Sequence, residues 1–505
     1  MNVEFIKAKD GNSTFSADKV FFHSTYSPVK EAERFVQGTS FQIKPKIIFF
    51  LEPGFSYCAP LLQNKYDDCK IVCVRFFDKT VFFEDQIKWD YVINFSDLND
   101  IKSFNQIMLN TFSEEKLLTS AVLIWKPAEN IFQDKIQSFF EQYKKLMQDC
   151  KTLLVTRQFF EKKWLVNCCN FIFNARHFIH VNQIKTKLPV VVCASGPSLM
   201  PCLPLIKQNA DKLFIVCLSS AVSVLINNSI IPDIVLTTDG GYWAGQHLKA
   251  LKQYNSIPVA APVEAFIPKS VLRSHPIIAL KYNDSSSFIS SSILKKSGLP
   301  AFEAVRNPTV SGTALFFANA ITSAKVYFCG LDLSAQPGFQ HSEPNELEKN
   351  NSINDTRIKT KALRNCRSAF NCESLEIYKN WFSSLDSDTT KRTVRIIDSE
   401  YKNNSLGNIK DISSNTFNSE LLSYKKTQDK KHFIIDDSIN IKNKSFVFDF
   451  ILSSLKTQKW QHQIFPADYI SMSNAQSEEE KQKAGLRLNE KFNKLTDKIR
   501  MLPGE

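Results

Sequence analysis

The residues best placed to do chemistry are small hydroxyls, glycines, two aspartates and one histidine, each just behind an apolar run. Val190-Val191-Val192-Cys193 leads into Ala194-Ser195-Gly196-Pro197-Ser198-Leu199, the order of a strand ending in a Gly-Pro-Ser turn before a helix. Gly196 would let backbone amides approach a ligand, and Ser198 would cap the helix whose positive end suits a phosphate or ribose oxygen. The same turn also serves as an ordinary strand-to-helix connection. Leu213–Leu218 ends in Ser219-Ser220, and Ile234–Thr237 runs into Asp239-Gly240-Gly241. Asp239 either accepts ribose hydroxyls or caps the next helix. Thr309-Val310-Ser311-Gly312-Thr313 opens an Ala/Phe-rich segment, presenting hydroxyls and amides to a phosphate or simply capping a helix. Asp332 and His341 follow the apolar run Val326–Cys329. A loop histidine titrates near cellular pH and could serve as a general base; a surface histidine without function is the alternative.

Such residues need a scaffold that gathers strand ends. Val190–Ala194, Leu213–Leu218, Ile234–Thr237, Ile257–Ala260, Ile277–Leu280 and Val326–Cys329 are near-continuous apolar runs separated by helical stretches. That pattern predicts a parallel sheet covered on both faces, with ligands at the carboxyl ends of its strands. The predicted fold class is α/β. A central Rossmann-like parallel-sheet domain over 188–410 is flanked by a smaller N-terminal α/β domain over 1–150 and a helical C-terminal domain over 411–505. A helical connector rich in Phe, Asn and Lys spans 151–187.

In the N-terminal part, runs at Lys46–Leu51, Lys70–Phe77, Tyr91–Phe95 and Ala121–Trp125 read as strands. The loop Glu52-Pro53-Gly54-Phe55-Ser56-Tyr57 after the first of them either approaches a ligand or is a plain turn. Near the other end, Ser477 and Glu480 fit a capping box, with Leu488, Phe492, Leu495 and Ile499 at helical spacing behind them.

Bulk properties narrow the classes. At 505 residues the chain calls for two or three domains. No apolar run approaches the roughly 18 residues a bilayer demands, and Met1-Asn2-Val3-Glu4 lacks a basic flank followed by an apolar stretch, so no membrane insertion and a cytoplasmic location are expected. The twelve cysteines are scattered, several within strand-like runs, and read as reduced thiols. Cys366 and Cys372 are too far apart for a metal-type pair, and no metal site is expected. The formal charge of +12 is dispersed among acids without a nucleic-acid module, which favours phosphorylated small ligands or an acidic protein partner over nucleic acid. Asp386-Ser387-Asp388 has the spacing of metal-dependent glycosyltransferases but follows a helix in a polar loop and reads as a solvated turn.

Taken together and in order, Ala194–Leu199, the Pro232-Asp233 strand ending at Asp239, Thr309–Thr313, and Gly330-Leu331-Asp332 followed by His341 resemble the central domain of the flagellin glycosyltransferases called motility-associated factors (Maf). The same domain is similar to archaeal 6-hydroxymethylpterin diphosphokinases. It also looks related to bacterial CMP-sialic-acid-dependent sialyltransferases of GT-A type, whose closing elements resemble Leu375–Leu385, Val394–Ile397 and Asn403–Leu406. The resemblance implies an inverting transfer of a nonulosonic acid, pseudaminic or legionaminic in type, from its CMP-activated form to serine or threonine hydroxyls of flagellin, in support of motility. The CMP-sugar is then the donor substrate, with no tightly bound cofactor. On this model Ser195, Gly196, Ser198, Ser219, Asp239, Thr309, Ser311 and Gly312 hold the cytidine nucleotide. His341, with Asp332 beside it in the chain, takes the acceptor's proton, and amides near Ser311 stabilise the leaving phosphate. The sialyltransferases place tyrosines near that phosphate. The Leu331–His341 loop has none, so Arg306 or Arg357 would take their part. Two other functions compete: a diphosphokinase that needs ATP and magnesium, for which Asp239 and Asp332 are available but no GxxxxGK[ST] loop is present, and a non-catalytic flagellin chaperone.

Overall fold

A computed structural model describes residues 2–78, 89–95, 101–284, 287–334, 340–363, 373–398, 405–425, 433, 435, 444–473, 475 and 477–502. The chain divides into two compact units, Met1–Gln158 with Phe465–Lys481, and Phe159–Ile464 with Gln482–Glu505.

The first unit holds a small antiparallel sheet of β1 (Val3–Lys7), β2 (Ser13–Ala17) and β3 (Val20–Phe21), and a parallel sheet of β4 (Ile47–Leu51), β5 (Lys70–Arg75), β6 (Tyr91–Asn94) and β7 (Ser120–Ile124) in the order β6-β5-β4-β7. Every residue of β4 is buried, as its unbroken Ile-Ile-Phe-Phe-Leu requires of a strand covered on both faces. Phe49 packs with Phe104, Phe139 and Tyr143 on one side of it, and Phe50 with Phe35 and Trp89 on the other. The small antiparallel sheet goes beyond the strands expected from the sequence. Four of the five residues of β1 are exposed, so it carries little apolar signal.

The second unit is built on a ten-stranded parallel sheet. Its strands are β8 (His177–Phe178), β9 (Val190–Cys193), β10 (Phe214–Leu218), β11 (Ile234–Leu236), β12 (Val259–Pro262), β13 (Pro276–Tyr282), β14 (Phe302–Ala304), β15 (Val326–Cys329), β16 (Thr393–Ile396) and β17 (Lys410–Ile412). Their order is β14-β13-β12-β11-β10-β9-β15-β16-β17, with β8 beside β13. β9, β10 and β15 are buried throughout, the burial that parallel strands between two helical layers require. The α/β class and the central parallel sheet are as the apolar runs predict. From β9 the chain steps strand by strand out to β14, then returns to lay β15 along the other side of β9. That reversal is a topological switch point, the place at the carboxyl ends of β9 and β15 where open parallel sheets bind their ligands.

β17 carries the sheet past residue 410. Arg395 of β16 is fully buried and reaches it with a two-pronged ion pair to Asp411 (2.8 and 2.9 Å), which holds a strand of sequence Lys-Asp-Ile that apolar content alone would not. The helix Gln133–Asn174 is longer than the expected connector, and residues 411–505 are shared between the two units. Ser477 accepts from the Glu480 amide (3.2 Å) at the head of helix Glu478–Met501, on which Leu488, Leu495 and Ile499 are buried. The ten described cysteines are buried free thiols, while Cys366 and Cys372 lie outside the described residues. Among the described residues no helix is long and apolar enough to cross a membrane.

Candidate functional site

The switch point is built first from backbone. The Ala194 and Gly196 amides donate to the Cys329 and Gly330 carbonyls (2.9 and 2.8 Å), so the loops after β9 and β15 continue the sheet's pairing beyond its strands. Space is the reason for both glycines. A Cβ on Gly196 would lie 2.8 Å from the Asp332 carboxyl carbon, and Gly330, at φ +73°, would drive one into the Ala194 carbonyl. Gly196 is therefore accounted for by the close approach of two loops, with its amide already engaged. Asp332, only 2% exposed, accepts from the Ser198 amide (2.8 Å) and from the Ser198 hydroxyl. Burial pushes the Asp332 pKa up, against the pull of the two Ser198 bonds and the Arg395 charge. Ser198 is itself buried and its hydroxyl makes no cap to the following helix, so this pair locks the turn from beneath.

Above the lock lies a second, more open polar chain. Ser220 donates to the Ser195 hydroxyl (2.9 Å), and the Asn345 amide donates to the Ser220 carbonyl (2.9 Å). Asn345 in turn caps helix Glu346–Ser352 by accepting from Leu347 N (2.9 Å). Ser342 binds the β9 loop twice, amide to Ser195 O (2.6 Å) and hydroxyl to Gly196 O (2.7 Å). These bonds bring His341 to the switch point. Its side chain is 26% exposed, and Nδ1 lies 3.1 Å from Glu348 Oε1, which also accepts from the Gln340 and His341 amides (3.0 and 3.2 Å).

At the end of β11, Asp239 is exposed and accepts from Gly241 N (2.8 Å), turning the chain into helix Tyr242–His247. That helix packs on Glu346–Ser352. The His247 pKa is pushed down to about 4, first by burial and then by the charge of His341, against the opposite pull of Asp239 and Glu346. Those four groups therefore share one neighbourhood.

A third group sits at the ends of β12, β13 and β14. Arg306 is paired with Glu264 and with Asp284 (3.0 Å), donates to Ser287 (2.9 Å), and stacks over the rings of Tyr282 and Trp164 (4.5 and 5.2 Å). Two carboxylates thus match the charge that was expected to serve a leaving phosphate. Arg357 is exposed. Thr309 caps helix Val310–Ile321 by accepting from Ser311 N (3.3 Å), Ser311 is buried, and Gly312 is held tight against Asn307 and Trp381. Among the described residues no hydrogen bond joins Thr309–Thr313 to the Ser195–His341 chain, although both lie at carboxyl ends of one sheet. Ser219 is buried within the turn that carries Ser220. Asp386 caps its own short helix by accepting from the Thr389 amide (2.7 Å) and hydroxyl (2.9 Å), as a solvated turn would. The described residues contain no cluster of three metal-ligating side chains.

The sequence reading did not single out Ser342, Asn345, Glu348 or His247. Asn345 and Glu348 stand three apart, the spacing of a capping box, and that was the available signal. Here the glutamate reaches the preceding loop instead of its own cap.

Known proteins place this geometry. Residues 168–338 match the family described as 6-hydroxymethylpterin diphosphokinase MptE-like, a span that includes every nucleotide-type candidate and Asp332 and stops just short of His341. An uncharacterised protein of Treponema pallidum (strain Nichols) is 30% identical over 300 residues, which are 58% of this chain and 64% of that relative's length. The Maf glycosyltransferase of Magnetospirillum magneticum AMB-1 superposes with a TM-score of 0.56 over 99% of this chain and 90% of its own, at 13% identity, a likeness of fold. Residues 168–338 are thus similar to the MptE-like family, and the fold of the chain is similar to that of a Maf glycosyltransferase.

Proposed function

We propose that this protein is an inverting glycosyltransferase that moves a nonulosonic acid from its CMP-activated donor to serine or threonine hydroxyls of flagellin. The observation that carries the reading is the convergence, at the β9/β15 switch point, of the Ser195–Ser220 hydroxyl pair with a part-exposed histidine delivered by the Ser342 anchor. The Maf-like fold supports a glycosyltransferase, and the MptE-like match supports a phosphorylated ligand on this sheet, common to the transferase and the competing diphosphokinase. The exposed Asp239 carboxylate accepts ribose hydroxyls, and the start of helix Val310–Ile321 faces the phosphate. The acceptor oxygen attacks the anomeric carbon as the carbon–oxygen bond to phosphate breaks. CMP departs with that electron pair, and His341 Nε2 takes the hydroxyl proton. Ser198 and Asp332, paired with each other, act through the shape of the turn.

Calorimetric titration with CMP, and separately with ATP plus magnesium, tests this reading. The expected result is saturable CMP binding without metal, weakened about tenfold by Asp239→Ala, the worth of a hydrogen bond to a charged group. Binding of magnesium ATP alone would replace it with the diphosphokinase reading, and silence toward both with a non-catalytic flagellin-binding role.

A further inference from the structure

Glu348 sits where a structural glutamate is hard to explain. It lies in the first turn of helix Glu346–Ser352 with its side chain 2% exposed, and among the described residues no hydrogen bond from the Asn345 amide to it closes the capping box its position allows. Its Oε1 instead gathers the Gln340 amide, the His341 amide and His341 Nδ1 on one atom. Two backbone donors fix the carboxylate relative to the loop, and the third contact fixes the ring relative to the carboxylate. A carboxylate accepts and cannot donate, so the nitrogen facing it must carry the proton. Among the described residues Nε2 takes no hydrogen bond.

We propose that Glu348 is a positioning residue: it holds His341 in the Nδ1–H tautomer and leaves Nε2 as the basic nitrogen. The role of that nitrogen as proton acceptor rests on the transferase reading above; the tautomer does not. When Nε2 takes the acceptor's proton the ring becomes a cation, and the buried carboxylate at Nδ1 is placed to stabilise it. Among the described residues the titratable groups facing the ring are Glu348, in contact at Nδ1, and His247, which in turn feels Asp239 and Glu346.

Long-range proton–nitrogen NMR of the full chain labelled with 15N-histidine reads the tautomer directly, with His341→Asn assigning its signals. At pH 8 the unaltered protein is expected to show His341 as a single Nδ1–H tautomer. Glu348→Leu, similar in size but without an acceptor, should give a mixture of tautomers, whereas Glu348→Gln, whose Oε1 can still accept from both backbone amides and from Nδ1–H, should keep the Nδ1–H tautomer and lose only the charge that stabilises the cation. In parallel, CMP release from CMP-pseudaminic and CMP-legionaminic acid with flagellin as acceptor should fall roughly 10²-fold or more in kcat, while KM and CMP affinity hold. An Nε2–H tautomer in the unaltered protein, or a Glu348→Leu spectrum that does not change, overturns the proposal, whichever nucleotide binds. An Nδ1–H tautomer in a protein that binds no CMP leaves the pairing standing and sinks the transferase reading instead.

Discussion

The two parallel sheets of this molecule have the same device at their centres, and the chain treats it in opposite ways. In the first unit β4 is followed outward by β5 and β6 before β7 returns to its other side; in the second, β9 is followed outward by β10 to β14 before β15 returns. Each reversal opens a crevice at strand ends. After β4 the crevice is packed shut by the chain itself. Glu52 and Arg75, 0% and 5% exposed, pair at 2.9 Å, and Arg75 also donates to Gly54 O (2.6 Å) and the Ser56 hydroxyl (2.7 Å). The second Glu52 oxygen accepts from the Phe76 and Phe77 amides (2.6 and 3.0 Å), and His23 Nε2 accepts from Phe55 N (2.9 Å). After β9 small residues line the turn, and serine hydroxyls, an exposed aspartate and a part-exposed histidine remain at its mouth. Topology supplies a crevice in both units. Side-chain size and the fate of the polar groups decide which one is left open.

The largest expected effect breaks the closed crevice. Glu52→Ala strands the Arg75 guanidinium in a site from which water is excluded, and removing one partner of such a pair costs about 3–5 kcal/mol. Hydrogen exchange of the β4 and β5 amides should accelerate by the matching factor while CMP affinity stays as it was. A loss below about 1 kcal/mol would mean that Arg75 finds water, and that the loop after β4 is more open than its burial indicates.

Asp332→Ala makes the corresponding cut beneath the open crevice. It removes the acceptor of both Ser198 donors, at about 1–3 kcal/mol for buried groups left unmade. Because the turn belongs to the proposed nucleotide site, CMP affinity should fall together with stability; in the first unit the two should separate. Ser198→Ala keeps the amide bond to Asp332 and should cost less in both measurements. If Asp332→Ala weakened CMP without destabilising the turn, the carboxylate would be touching ligand itself.

The elements of both sheets were legible wherever burial on two faces forces an apolar run, as in Ile47–Leu51, Val190–Cys193 and Val326–Cys329. They were illegible where another force holds the strand. β14 is Phe-Glu-Ala, and β17 depends on a salt bridge to a buried arginine, which no periodicity reveals. The site divides the same way. Gly196, Ser195 and Asp239 stand out because glycine and small polar residues punctuate strand ends. The partners of His341 do not, since Ser342 meets Ser195 and Gly196 across about 146 residues of chain, and only folding chooses between Glu348 and any other nearby carboxylate. Arg306 was visible as a cation near the site. Its neutralisation by Glu264 and Asp284 depends on the side-by-side ends of three strands.

The smallest effect separates the two crevices by pH. Burial, and then the Arg75 charge, hold the His23 pKa down at about 3, against 6.5 for an unhindered histidine. Between those values the unfolded chain binds a proton that folded His23 refuses, so stability rises with pH across the window. The contribution is complete above 6.5 and is lost as pH falls toward 3. At pH 5.5, one unit below the unfolded value, the loss is about 1.4 kcal/mol. Glu31, 3.9 Å away, has its pKa raised by burial and works in the opposite sense, gaining a proton in the folded state as pH falls. Exchange of the β4 and β5 amides, compared at pH 7.5 and 5.5 after correction for intrinsic rates, should show the net loss. His23→Gln, which keeps an acceptor for Phe55 N, should remove most of it, and Glu31→Gln should enlarge it. If His23→Gln left the slope untouched, the ring would already be reaching water, and the closed crevice would have to be counted among the open ones.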